Sequence, residues 1–173
     1  MIQKPTILSR LLPLILTVLV IALDQVTKAA IVAWIPLNSV GASFMDNFLR
    51  IIHVRNPAIA FSLGTTLPVE LKFIIFTILP CIILPSILVF CLTAKDLTNL
   101  QRWALMGIVG GGTGNLIDRI GRPEGVIDFI DVRFFGIFGM ERWPTFNVAD
   151  SSVVICGIVL AISLLLQRRP HHE

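Results

Sequence analysis

Charge is what this sequence has least of. Lys, Arg, Asp and Glu supply 14% of its 173 residues, hydrophobic residues supply 55%, and the mean hydropathy is +0.85. An ordinary soluble domain carries about 25% charged residues, so the composition excludes that class and indicates an integral membrane protein. The net charge of +3 is small and no basic patch is interleaved with aromatics, so nucleic acid is not a partner. Cysteine is scarce: Cys81, Cys91 and Cys156 each lie in an apolar run without ligand spacing, which argues against zinc and against disulfides and leaves free buried thiols. His53 stands alone, and His171 and His172 sit in a charged tail, so no histidine-based metal site can be assembled. A Gly-x-x-x-x-Gly-Lys phosphate loop is missing, as are internal repeats and low-complexity segments. The length leaves room for one compact bundle and no second domain.

What is there is a set of four apolar runs, at about 11–35, 73–92, 103–120 and 149–167. Each is near the ~20 residues a helix needs to cross ~30 Å of hydrocarbon. They predict an all-α integral membrane protein, a four-transmembrane-helix bundle. Pro80 and Pro85 fall inside the second run, where proline is tolerated and kinks a membrane helix. The first run follows Lys4 and Arg10 as a signal peptide would. No small-x-small cleavage site comes after Leu23, however, and Asp24, Lys28 and further apolar residues continue the run, so it reads as an uncleaved helix.

With both termini cytoplasmic, the inner segments hold Lys4, Arg10, Lys95, Arg102, Arg168 and Arg169. The remaining eight basic residues lie in or beside the outer regions, whose two loops, at about 36–70 and 121–148, are long, and the higher density of the short inner segments sets the orientation. Asp24 then lies about 15 residues into the first helix, roughly 22 Å along it, toward the outer end. Asn115, Asp118 and Arg119 close the third helix there, and Asp150 opens the fourth, so three helices place polar residues at one depth. In the loops, Phe48 to Arg55 and Val126 to Phe135 read as strands, giving a small extracytoplasmic sheet with a surface helix or loop beside it. Period two puts Asp128, Ile130, Val132 and Phe134 on one face of the second strand, and Asp131 and Arg133 on the other. Phe134, Phe135, Ile137 and Phe138 are too apolar for a free loop and are expected to dip into the interface or cover the site.

Each polar residue has a plain reading beside the chemical one. Asp24 and Lys28, spaced i, i+4, either neutralise each other or touch substrate. Asp118 beside Arg119 reads as an interfacial ion pair, and Asp131 with Arg133 as a solvated strand face. Gly107 with Gly111, and Gly110 with Gly114, are small-xxx-small pairs that let a neighbouring helix approach closely. Asp128 and Asp150 remain. Asp150 fits the first turn of a helix whose dipole favours it. The two also form a candidate carboxylate pair that would share a proton, one member activating water while the other donates to a carbonyl oxygen. No serine, cysteine or histidine set competes as nucleophile and base. Two rival readings use the same residues: Mg²⁺-dependent phospholipid transfer with Asp118, Asp128, Asp131 and Asp150 as oxygen ligands, and an ion conduit, which the apolar inner halves disfavour.

Five motifs in order carry a resemblance: Leu-Asp-Gln-x-x-Lys at 23–28, Asn-x-x-x-Ala-Phe-Ser at 56–62, Gly-Asn-Leu-Ile-Asp-Arg at 114–119, Val-x-Asp-Phe at 126–129 and Phe-Asn-x-Ala-Asp at 146–150. Together they span nearly the whole chain, which resembles the lipoprotein signal peptidases, the type II signal peptidases. That resemblance implies a membrane aspartic endopeptidase of the bacterial inner membrane. It would cut the signal peptide from a prolipoprotein just before the diacylglyceryl-modified cysteine, with no metal or organic cofactor; the topology places that site at the outer face, in contact with membrane lipid, and nothing in the sequence requires more than a monomer. It implies Asp128 and Asp150 as the catalytic dyad. Asn56, Asn115, Arg119 and Asn147 would orient dyad and substrate, and Asp24 and Lys28 would belong to the supporting polar cluster. One position departs: Ala58 stands where the second motif usually has Gly.

Overall fold

The structure, a computed structural model, describes residues 6–57 and 68–167. It is a helical bundle turned inside out relative to a soluble one. In α2 (Leu14–Trp34) the buried residues are Asp24, Lys28 and Ile31, one stripe at helical spacing. The opposite side is apolar and exposed at Ile15, Val18, Leu19, Leu23 and Val26. Among the described residues, three helices are long and apolar enough to cross a membrane: Ile7–Trp34, in which α1 (Ile7–Leu11) precedes α2, then Val69–Thr93 and Val148–Gln167 (α6). An exposed apolar belt of this extent belongs against lipid.

The fourth long helix, α5 (Asn99–Gly121), packs against α2, α4 and α6 and buries twelve of its residues. It is more polar than the other three because neighbouring helices, and not lipid, surround it. The sequence pattern starts this helix at 103. It begins instead at Asn99, where Thr98 and Gln101 form a capping box. Gln101 and Arg102 interrupt the apolar run yet are buried. Gln101 donates to Gln167 Oε1 at 2.7 Å, and Arg102 donates to the carbonyls of Cys91 and Ala94, satisfying the end of the preceding helix.

The glycines of α5 are where its neighbours come close. Gly110 backs onto Thr17 of α2, Gly112 onto Leu84, Gly111 onto Ala149 and Val153 of α6, and Gly114 onto Asp24 and Ala149. Thr17 Oγ1 donates to Met106 O at 2.8 Å and Ser152 Oγ to Gly107 O at 2.9 Å, stitching both helix pairs. These are packing glycines. A methyl at Gly111 would meet Val153 Cγ2 at 2.8 Å and the Ala149 backbone, so Gly111→Ala is expected to destabilise by about 1–3 kcal/mol. Gly121→Ala, which meets nothing within 4 Å, is the matched control in a thermal-unfolding series.

The second apolar segment is α3 (Val69–Phe73), a π-helical turn (Ile74–Ile78) and α4 (Leu79–Thr93). The π turn directly precedes Pro80, which has no N–H to offer the Phe76 carbonyl, so the predicted distortion is present there. Pro85 is carried within α4.

Beyond α2 the chain builds a three-stranded antiparallel sheet in the order β1 (Val40–Phe44), β2 (Leu49–Asn56), β3 (Val126–Val132). The sheet as such is expected from sequence, but β1 is not. β3 also stops before Phe134, because Phe135 and Gly136 turn with positive φ. Of the helix or loop expected beside the sheet, the described residues show a loop with one 3-10 turn, Ile137–Gly139. Ile127 and Phe129 of β3 pack with Ile31 of α2, fixing the sheet onto the bundle end where the polar residues gather.

Candidate active site

Asp128 is placed by strand register. β2 pairs with β3 so that Val54 faces Asp128 and Asn56 faces Val126. Asn56 is thus the diagonal neighbour of Asp128 on the same face, and its Nδ2 donates to Asp128 Oδ2 at 2.9 Å. On the other side of β3, Phe146 bridges Ile130 with backbone bonds of 2.8 and 3.1 Å. The next residue, Asn147, therefore arrives beside the carboxylate, and its Nδ2 donates to Asp128 Oδ1 at 2.7 Å. Both oxygens of a buried carboxyl have a side-chain amide donor.

Asp150 is placed by the start of a helix. Asn147 Oδ1 accepts the Asp150 N–H at 2.9 Å, and Asp150 Oδ2 accepts the Asn147 N–H at 3.1 Å, the reciprocal bonds of a capping box with Asp in the acidic position. The remaining oxygen, Oδ1, accepts from Asn115 Nδ2 of α5 at 2.7 Å. Asn147 therefore touches both aspartates, which is the physical content of the Phe-Asn-x-Ala-Asp spacing. Burial first, and the neighbouring Asp150 charge second, push the Asp128 carboxyl up to about 7, against the opposing pull of Asn56, Asn147 and Lys28.

Beneath the dyad lies a saturated ammonium. Lys28 Nζ is 2.8 Å from Asp24 Oδ2, 2.9 Å from Asp118 Oδ2 and 2.9 Å from Asn115 Oδ1, with all three of its donors used and no solvent exposure. The two carboxylates it joins reach forward to the backbone. Asp24 Oδ1 accepts the N–H of Ala149 at 3.0 Å, and Asp118 Oδ2 accepts the N–H of Ile127 at 3.1 Å. Each of those residues immediately precedes one aspartate of the pair. Asn115 Oδ1 accepts from Lys28 and also from Asn147 Nδ2 at 3.0 Å, so one network runs without a break from the ammonium to both carboxyls.

Asp150 opens onto a groove of about 420 Å³ between α4, α5 and α6. Its walls are apolar, including Ile83, Leu84, Val154 and Trp143. Asn115, Arg119 and Asp150 are its polar floor.

All eight residues singled out by sequence thus gather at one end of the bundle: Asp24, Lys28, Asn56, Asn115, Arg119, Asp128, Asn147 and Asp150. Three expectations are corrected. Asp118 pairs with Lys28 and Arg122, not Arg119, because successive helix residues point about 100° apart while i, i+4 residues share a face. Arg119 instead lies over the Phe76 ring, 6.0 Å from its centroid. Asp131 is no solvated residue: it is buried between Arg50 and Arg142, and Arg133 sits over Phe135. Cys81 is exposed on the apolar face of α4, although Cys91 is buried as expected and all three cysteines are free. With Asp118 and Asp131 committed to separate cation partners, the four aspartates of the metal reading do not converge. Gln25, which the sequence offers only as part of the Leu-Asp-Gln-x-x-Lys motif, donates to Asp24, Gly114 O and Asp118 at 3.1 Å each; Arg122 carries a single sequence signal, its i, i+4 spacing from Asp118. Ala58 lies outside the described residues, as do Ala60, Phe61 and Ser62 of the same motif.

A family model described as signal peptidase II matches residues 16–166, a span that contains every residue of this network. The chain belongs to the signal peptidase II family. Within it, the chain is 46% identical to the lipoprotein signal peptidase of Treponema pallidum (strain Nichols) over 158 residues, covering 91% of this chain and 85% of that protein. The lipoprotein signal peptidase of Treponema denticola is 48% identical over 156 residues, with 90% of each chain covered. In structure, the chain is similar to a bacterial membrane enzyme solved by the in meso method at 1.9 Å resolution. The TM-score is 0.73 at 31% identity, covering 88% of this chain and 92% of that one.

Proposed function

We propose that this chain is a membrane aspartic endopeptidase that removes the signal peptide from prolipoproteins, cutting just before the diacylglyceryl-modified cysteine, with Asp128 and Asp150 as the catalytic pair. The observation that carries the reading is a pair of carboxyls, Asp128 buried and Asp150 half-buried, oriented by amide donors from three different segments, with Asp150 on the polar floor of an apolar groove. The ionised carboxylate takes a proton from water, whose oxygen attacks the scissile carbonyl carbon, while the protonated partner donates to the carbonyl oxygen. As the tetrahedral intermediate collapses, the C–N bond breaks and the proton passes to the departing cysteine nitrogen. Asn56, Asn115 and Asn147 hold the carboxyls, and Arg119 and Asn115 face the substrate backbone across the groove. Acid, base and orienting donors all come from this chain, so the reaction needs neither a metal nor an organic cofactor, and a single copy suffices.

The placement suits the substrate. In this reading α1–α2, α3–α4, α5 and α6 all cross the bacterial inner membrane, both termini are cytoplasmic, and the sheet lies at the outer face. Exposed Trp34, Phe135, Ile137 and Phe138 at the sheet end fit an interfacial belt. Acyl chains on the cysteine lie in the bilayer against the apolar groove, which holds the scissile bond at the depth of the dyad.

The test is cleavage of a diacylglyceryl-modified prolipoprotein and of its unmodified precursor in nanodiscs, with the new N-terminus read by mass spectrometry. Cleavage is expected only of the modified substrate and only before its cysteine. The rate is expected to fall about tenfold per pH unit above pH 7, as the pair loses the proton that burial holds on Asp128 up to about 7. Cutting at another bond, or equal cutting of the unmodified precursor, sinks the proposal.

A further inference from the structure

β3 carries a second buried carboxylate to which the peptidase reading gives no task. Asp131 is three residues from Asp128 and so points to the opposite face of the sheet, yet it is only 2% exposed. Two guanidiniums hold it. Arg50 of β2 donates to Oδ2 through Nε at 2.7 Å and approaches it through Nη2 at 2.6 Å, and Arg142 donates through Nε to Oδ1 at 2.6 Å and Oδ2 at 2.7 Å. Arg142 also donates through Nη2 to the Asp131 carbonyl at 3.2 Å, and through Nη1 to the Asn47 carbonyl at 3.1 Å. One arginine thus ties the segment that leads into α6 both to β3 and to the turn between β1 and β2. A carboxylate this buried is costly to desolvate, and what it can return is one fixed geometry more than stability.

The geometry fixed is that of the next residue. Arg142 bridges Arg133, and Trp143 donates its N–H to the Val132 carbonyl at 2.8 Å, so this short segment runs beside the end of β3. Successive residues of an extended segment point to opposite faces. With Arg142 held on the Asp131 face, Trp143 stands on the other, edge-on to Phe134 with ring centroids 4.9 Å apart. There it forms part of the groove wall above Asp150, whereas Arg50, Asp131 and Arg142 are not among the lining residues. We propose that Trp143 is a substrate-contacting wall of the groove, and that Asp131, Arg50 and Arg142 are positioning residues that set where its indole stands. This assignment rests on the peptidase reading and adds to it the side chain against which the apolar part of the substrate nearest the scissile bond packs.

Cleavage of a diacylglyceryl-modified prolipoprotein by the full chain, measured over a range of substrate mole fractions in mixed micelles, separates KM from kcat. Trp143→Ala is expected to raise KM about tenfold, the scale of one lost apolar contact in a pocket, with a smaller change in kcat. Arg142→Gln is expected to reproduce that rise, although its side chain lies outside the groove. Arg142→Lys keeps a cation beside Asp131 without the reach to Asn47, and is expected to raise KM only about threefold. The double variant Arg142→Gln/Trp143→Ala is expected to be no worse than Trp143→Ala, because the arginine acts through the indole. A merely structural cluster would lower the melting temperature of Arg142→Gln and leave KM where it was. Two independent contributions would multiply to about a hundredfold in the double variant. Either result overturns the proposal, as does an unchanged KM in Trp143→Ala, which reports on the contact even if Arg142→Gln folds poorly. Variants with the wild-type KM leave the peptidase reading standing; a wild type that leaves the substrate uncut sinks that reading and this proposal with it.

Discussion

Asp128→Asn and Asp150→Asn are each expected to reduce cleavage of a lipidated prolipoprotein by about 10⁴-fold or more, the scale of losing an essential acid or base, while the protein stays folded. Folding is expected to survive because the amide keeps the shape and one acceptor oxygen. At Asp150 that oxygen can still accept the Asn147 N–H and preserve the capping box. At Asp128 one of the two amide donors, Asn56 or Asn147, loses its partner, a loss of about 1 kcal/mol. Removing a buried carboxylate offsets part of that. The chemistry has no such reserve, since an amide neither accepts a proton from water nor supplies one to the carbonyl oxygen. EDTA is expected to leave the wild-type rate unchanged. If either variant still cut at a tenth of the wild-type rate, the two-aspartate mechanism would be wrong. If EDTA alone stopped the reaction, the carboxylates would have to be reassigned to a metal, against the separate engagement of Asp118 by Lys28 and Arg122 and of Asp131 by Arg50 and Arg142.

The parts of this site that the sequence made legible are those carried by local spacing. A polar residue in an apolar run stands out wherever it falls, and that alone marked Asp24, Lys28, Asn115 and Asp150. The alternation of residues 126–132 marked a strand, and with it the position of Asp128. What spacing could not show is partnership. Asp118 and Arg119 are adjacent in sequence and diverge in space, whereas Asp118 and Ile127 are joined only because β3 folds back over the end of α5. Asp131 looked solvated because a carboxylate near an arginine usually is. Its true partners, Arg50 and Arg142, come from another strand and from a loop. The polar start of α5 was unreadable for a related reason: Gln101 and Arg102 look like the end of a lipid-facing segment unless the surrounding helices are known. β1 offered little alternation of its own and is held by pairing with β2, a non-local cause.

Lys28→Met is expected to destabilise the protein by about 3–5 kcal/mol, the range for removing one member of a buried ion pair. Methionine fills much of the volume, so the loss reports on charge and not on a cavity. Without the ammonium, Asp24 and Asp118 remain fully buried. Asp118 keeps Arg122, but Asp24 keeps only Gln25 and the Ala149 N–H. Asn115 Oδ1 also loses one of its two donors and keeps only Asn147, so the amide bonded to Asp150 is held less firmly. The double variant Asp24→Asn/Lys28→Met separates these effects. It removes the uncompensated charge and is expected to recover a large part of the thermal stability, giving a coupling energy in the double-mutant cycle. Its cleavage is expected to stay low, and the alkaline limb of its pH profile to move upward, because Lys28 is among the groups that hold the Asp128 carboxyl down. A merely structural lysine would change the melting temperature and leave that limb where it was. If Lys28→Met melted with the wild type, the ammonium would not be the centre of the network. The link from Asp24 and Asp118 to the residues preceding Asp128 and Asp150 would then need another origin.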